Sequence, residues 1–193
     1  MASKASKKED IISAASIIFQ EKGYHETKMN EIAQRAGIGK GTIYEYFSSK
    51  KELFEEVCIL NIQNAYFGFE AICNKENDFK KKIIEIFKYK FRNMNVQKSL
   101  AESFFAQGYL ISDRIKKVFI PCMGKSYMLI IEIIQDGIKK GILKEDIDVE
   151  MMASYIMGVS NQYLGMKLFY FNSKEEDIDF EKLLNSLIEG FGI

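Results

Sequence analysis

Lys40, Thr42, Tyr44 and Tyr46 fall within seven residues of one another, with Gly39 and Gly41 interleaved and Lys28 and Lys50 on either side. Ammonium groups neutralise phosphate. Threonine and tyrosine hydroxyls donate to phosphate oxygens, and tyrosine rings lie against sugars or thymine methyls. Glycines at the start of such a segment let the backbone come close to a partner surface. This set of residues suits a nucleic-acid interface rather than catalysis.

The elements that must position these side chains are legible in the run Met29–Phe47, MNEIAQRAGIGKGTIYEYF. Two helices that cross closely need a small residue inside the first, and Ala33 supplies it. A sharp reversal needs a residue tolerant of positive φ, and Gly37 supplies it. Ile32, Ala36, Ile38 and Ile43 pin the pair from both sides of the turn. The segment therefore predicts a helix-turn-helix, its second helix running from about Lys40 to Phe47 into a major groove. A plain helical hairpin, the alternative, shares the turn glycine and the apolar faces. Thr27 is expected to cap the first of the two helices, next to Lys28. Lys28 and Lys50 are expected to grip flanking phosphates. Tyr46 serves either as a phosphate contact or as packing, and Phe47 belongs to the core.

Residues 23–57, GYHETKMNEIAQRAGIGKGTIYEYFSSKKELFEEV, resemble the DNA-binding head of TetR/AcrR-type transcriptional regulators. The run Gly41 to Phe47 followed by Lys50 carries most of that resemblance, which covers about the first 60 residues. Two positions depart from the pattern. Lys28 stands where a small hydroxyl residue is common, and Gly39 stands where a serine often caps the recognition helix. The resemblance implies double-stranded operator DNA as partner, with Thr27, Lys28, Gly39, Lys40, Gly41, Thr42, Tyr44, Tyr46 and Lys50 as the contact set. It also implies an inducer site in the body.

Composition limits the alternatives. The net charge is zero, with 27 basic and 27 acidic residues, but residues 1–51 carry nine Lys/Arg against six Asp/Glu. That basic excess is weak support for a nucleic-acid partner, since a solvated charged face looks the same. Gly37-Ile-Gly-Lys-Gly-Thr is not a phosphate loop, because Gln34 and Gly41 occupy the places of its first glycine and its Ser/Thr. The single histidine, His25, and scattered carboxylate pairs form no catalytic constellation. No cofactor or metal is called for, and an enzyme is not expected. Three separated cysteines, Cys58, Cys73 and Cys122, read as reduced thiols of a cytoplasmic protein. Lys4, Lys7 and Lys8 precede no apolar run of the signal-peptide kind. No uninterrupted apolar run approaches the ~20 residues of a membrane span.

The rest of the chain reads as all-α, about nine helices in total, with one proline, Pro121. Apolar spacing places helices from Glu9 to Gly23, from Ser48/Ser49 to about Ile72, over Phe79–Met94 and over Gln97–Gly108. Further helices follow across Ile115–Ile134 with a kink or break near Pro121, over Val149–Phe171 and over Phe180–Phe191. The expected division is a DNA-binding head over residues 1–50 and a ligand-binding and dimerisation body over 51–193. Phe67, Phe87, Phe91, Phe104, Phe105, Tyr109, Tyr127, Met128, Met157 and Met166, with Asn161 and Gln162, suit a pocket for a small, mostly apolar or amphipathic effector, although core packing explains any one aromatic as well. Tyr155, Val159, Tyr163, Leu184, Leu187, Ile188 and Phe191 are expected to form a two-fold homodimer contact through the last two helices. The reading is a ligand-responsive regulator, most simply a repressor on a palindromic operator. The alternatives are an architectural DNA-binding protein without a ligand and a helical small-molecule protein whose head is only a hairpin.

Overall fold

The computed structural model describes residues 4–96 and 112–191. They form eight α-helices and no β-strand: α1 Lys4–Glu26, α2 Met29–Arg35, α3 Lys40–Tyr46, α4 Lys50–Lys75, α5 Phe79–Val96, α6 Asp113–Lys139, α7 Val149–Phe169 and α8 Phe180–Phe191. A 3-10 turn, Glu175–Asp177, precedes α8. The expected helix over Gln97–Gly108 lies outside the described residues, as do Phe104, Phe105 and Tyr109.

Helix starts follow from short polar side chains that take up the first free amides. Ser49 Oγ accepts from the Glu52 amide at 3.2 Å. Asp78, Asp148 and Asp179 each accept an amide three residues on, at 2.8–2.9 Å. At the other end of α6, Gly141 takes φ 68° and closes the helix, its amide donating to Ile138 O and that of Ile142 to Gly137 O. α1 begins at Lys4, ahead of the expected Glu9. α6 runs unbroken through Pro121, where a kink or break was expected. Proline removes one amide and orphans one carbonyl a turn earlier, but Pro121 and Lys117 are both exposed, so water can satisfy that carbonyl.

The described residues divide into two compact units: residues 4–63 with 96 and 112–119, and residues 64–95 with 120–191. α4 and α6 each contribute residues to both. The first unit is built on Ile11, Ala15, Ile18 and Phe19 of α1, Ile32 and Ala33 of α2, Ile43 of α3, and Phe47, Leu53 and Val57. The second is built on Phe79, Ile83, Ile86 and Phe87 of α5, Ile130 and Ile134 of α6, Met152, Ile156 and Leu164 of α7, and Leu184 of α8. Burying each of the side chains larger than alanine is worth about 1.5–3 kcal/mol.

All three cysteines are free thiols. Burial pushes the thiol of Cys58 up to about 12 and that of Cys73 to about 11. By length and composition alone, α6 is apolar enough to cross a membrane, although polar residues interrupt its apolar run. Its Ile115, Ile130, Ile133 and Ile134 are nevertheless buried, the last three in the core of the second unit.

Candidate nucleic-acid interface

The turn between α2 and α3 closes as the sequence requires. Gly37 has φ 67°; its amide donates to Gln34 O at 3.1 Å, and the Ile38 amide reaches back to Ala33 O at 2.9 Å. This pair of bonds ends α2 with the chain reversed, a geometry that a side chain at position 37 would strain. Ala33 and Ile43 are fully enclosed where the two helices cross. Burial of Ile43 settles the roll of α3 and leaves the opposite face, with Lys40, Gly41 and Tyr44, in solvent. Tyr44 is 47% exposed, a large aromatic left uncovered on a short helix. Thr42 and Tyr46 are half-buried, and Tyr46 packs against the head core, as the packing reading had it.

Gly39 is the N-cap of α3 and makes no side-chain cap. A Cβ there would meet only Thr42 Oγ1, at 3.8 Å, so the fold itself does not demand glycine at this place. Lys28, not Thr27, is the N-cap of α2, and it is exposed. Glu31 reaches back to the Lys28 amide at 3.3 Å, while its other oxygen accepts from Lys22 at 3.1 Å. The Lys22 ammonium, foremost, holds the Glu31 carboxyl below its ordinary range.

Two of the expected contact residues are turned elsewhere. Thr27 is buried, and its hydroxyl donates to Gly23 O at 2.6 Å, which withdraws it from capping α2 and from any surface. Lys50 Nζ donates to the carbonyl oxygens of Tyr24, His25 and Thr27 at 2.8, 3.1 and 2.9 Å. An ammonium group has three N–H bonds, so none is left for a phosphate in this arrangement. Elsewhere in this unit, Glu56 of α4 accepts from Lys8 of α1 at 3.0 Å and from Arg114 of α6. Burial pushes the Glu56 carboxyl up, but the two cations outweigh it and hold it below the ordinary value.

In the second unit the expected effector set is dispersed. Phe87 and Phe91 are core residues. Phe67, Met128, Gln162 and Met166 are exposed, and Tyr127 is half-buried with its hydroxyl donating to Glu150 O at 2.9 Å. Phe87 and Phe91 serve packing because α5 turns its most apolar face to α6 and α7, whereas Phe67 is 58% exposed on α4. Two surface grooves among the described residues, one between α8 and its neighbours lined by Lys80, Ile142, Lys144 and Ile188, the other along α8 itself lined by Asp179, Lys182 and Ser186, touch none of these residues.

Met157 and Asn161 do converge, on a residue that sequence reading passed over. Lys90 Nζ donates to Asn161 Oδ1 at 3.2 Å and lies 3.6 Å from Met157 Sδ. Its helix neighbours Lys88 and Arg92 are matched by carboxylates, Glu85 at 2.9 Å and Glu175 at 2.5 Å. Crowding by the protein lowers the Lys90 ammonium to about 8. The signal was present in the sequence: Lys90 stands seven residues after Ile83 and four before Met94, in the middle of the apolar stripe.

Of the expected dimer residues, Tyr155 and Tyr163 are exposed on α7, and Val159, Leu187 and Ile188 are half-buried. Leu184 is 1% exposed and belongs to the core of its own unit, which removes it from any surface contact. The apolar stripe of α8 is consumed first by its own chain, and Leu184 lies at the centre of that stripe. The side chain of Phe191 lies outside the described residues.

Residues 11–57 match the sequence profile described as bacterial regulatory proteins, tetR family. Over 79% of this chain and 75% of the relative, the sequence is 24% identical to the HTH-type transcriptional repressor KstR2 of Mycolicibacterium smegmatis. Over 98% of this chain and 95% of the relative, it is 25% identical to the fatty acid metabolism regulator protein of Bacillus subtilis. The fold resembles the crystal structure of the transcriptional regulator FadR from Bacillus subtilis in complex with stearoyl-CoA, with a TM-score of 0.64, 22% identity, and coverage of 94% of this chain and 95% of that one.

Proposed function

Because this chain belongs to the tetR family of bacterial regulatory proteins, we propose that it is a ligand-responsive repressor that binds a palindromic operator as a homodimer and lets go when a small effector occupies its body. The observation that carries the reading is the roll of α3. Ile43 is sealed inside, and Lys40, Gly41 and Tyr44 face outward on a helix held by a tight turn. Residues 1–50 read the DNA, with Lys28, Gly39, Lys40, Gly41, Thr42 and Tyr44 at the contact, and residues 51–193 sense and dimerise. The work is done in the cytoplasm, where the DNA is.

A single head touches few base pairs, so useful specificity comes from two heads on half-sites about one helical turn apart, or a multiple of it. The effector acts by binding one separation of the heads better than another, and without that difference it shifts nothing. A mostly apolar or amphipathic effector is supported by the names of relatives that regulate fatty acid metabolism and of one solved with stearoyl-CoA.

The test is operator selection from random DNA with the full-length chain, followed by stearoyl-CoA and a panel of apolar and amphipathic compounds. One enriched inverted repeat is expected, and so is a compound that raises the melting temperature and loosens DNA together, since linked sites act reciprocally. Enrichment of no sequence overturns the operator. Stabilising compounds that leave DNA affinity unchanged overturn the sensor.

A further inference from the structure

We propose that Lys50 is a positioning residue of the DNA-binding head: it holds the turn between α1 and α2 so that α2 and α3 present a pre-set surface, and it neutralises no phosphate. The proposal rests on the DNA-binding reading above. Gly23, at φ 74° and ψ 175°, breaks the helical path of α1, and beyond the break the carbonyl oxygens of Tyr24, His25 and Thr27 converge on one point. Three converging carbonyl oxygens repel one another unless a cation sits between them. Lys50, the first residue of α4, puts one there.

The Tyr24 ring lies 4.5 Å below the same ammonium. That ring is itself braced by Phe54, at 4.9 Å between centroids, and by Phe19, at 6.0 Å. The half-buried ammonium is thus held between one aromatic face and three acceptors. Desolvation accordingly lowers its pKa, with Glu26 opposing the shift. To reach a phosphate, Lys50 would have to surrender a bond that orders the residues leading directly into Lys28 and α2. Lys28 and Lys40 are exposed and face no such choice.

The two roles leave different marks. Removing a cation that neutralises a phosphate weakens binding about equally on all sequences and lowers the salt slope by about one. Removing a positioning residue instead weakens the interactions that depend on the placement of α3. The experiment compares the full-length chain with Lys50→Met on two probes: the duplex enriched by selection and a random-sequence duplex of about 30 base pairs, each across a salt series. Backbone amide exchange of Tyr24–Lys28 is followed without DNA. For Lys50→Met, the expected result is a loss of about ten-fold or more on the enriched duplex and under about two-fold on the random one, with the random-duplex slope unchanged and exchange accelerated.

Equal losses on both duplexes with a slope lower by about one per head, or unchanged affinity and exchange, overturn the proposal. Should Lys50→Met fail to fold, the unmodified chain decides by NMR. Slowly exchanging Lys50 ammonium hydrogens that stay in place when the random duplex is added support the clamp. Their absence, or a DNA-induced shift like that of Lys28, overturns it. Failure of the unmodified chain to bind either duplex strikes instead at the DNA-binding reading, and the ammonium signal still reports whether the clamp exists.

Discussion

The hydroxyl of Tyr89 occupies the place where a side chain on Gly68 would begin, so that a Cβ there would overlap it. The hydroxyl is held in place, donating to Ala65 O at 3.0 Å. α4 and α5 thus meet at a point where one supplies an absent side chain and the other fills the gap. Gly68→Ala is expected to cost about 1–3 kcal/mol, as overpacking does. Adding Tyr89→Phe, which removes the nearest atom, should recover part of it. Thermal unfolding followed by circular dichroism measures both, and equal stability of Gly68→Ala and the unmodified chain would contradict the contact.

On α3, Tyr44→Ala should leave stability within about 0.5 kcal/mol, because nearly half of the residue is exposed and it belongs to neither core. Binding to the enriched operator should fall by about ten-fold or more, as expected when an interaction worth ~1–3 kcal/mol is removed. Lys28→Ala should instead weaken enriched and random duplexes alike and lower the salt slope by about one per head. Fluorescence anisotropy across a salt series separates the two, and unchanged affinity in both variants would remove these residues from the interface.

The dimer is tested on α7. Tyr155→Glu with Tyr163→Glu places two charges on an exposed face and leaves the core alone. Sedimentation velocity should show monomers with full helical content and loss of cooperative operator binding. Leu184→Ala is the control for the core and should cost about 2–5 kcal/mol by opening a cavity. A stable monomer of the unmodified chain at micromolar concentration would end the two-fold picture.

Lys90 gives a pH signature. Its ammonium titrates near 8 in the folded chain, against an ordinary 10.5. Between those values the unfolded chain binds the extra proton, so this group adds stability as pH rises through the window and subtracts most below it. Lys90→Met should therefore raise the melting temperature at pH 7, and the advantage should shrink toward pH 10.5. A pH-independent difference between the two proteins would show that Lys90 titrates normally.

The head was readable from sequence because its determinants are local. Ala33, Gly37 and Ile43 lie within eleven residues, and each meets a steric need of its immediate neighbours. The body was readable only as helices. Apolar periodicity shows that a helix has an inner face but not which partner covers it, so Phe87 in the core and Phe67 in solvent looked alike. Leu184 and Leu187 shared one stripe in the sequence but divide between core and half-exposed surface. The role of Lys50 was beyond reach for a related reason. A lysine at a helix start reads as a free cation until three carbonyls from residues more than twenty positions earlier are seen to converge on it.

Burial that raises the thiols of Cys58 and Cys73 also limits the chemistry open to these two sulfurs. Peroxide, disulfides and electrophiles attack thiolate, and at neutral pH these two sulfurs carry almost none. Oxidative chemistry that would switch a poised cysteine leaves both untouched, and neither should exchange with glutathione while the chain is folded. Alkylation of Cys73, which is buried, becomes instead a report on opening of the fold: it proceeds only as fast as the helices around that sulfur come apart. Timed labelling at Cys73 can then measure local opening of the second unit.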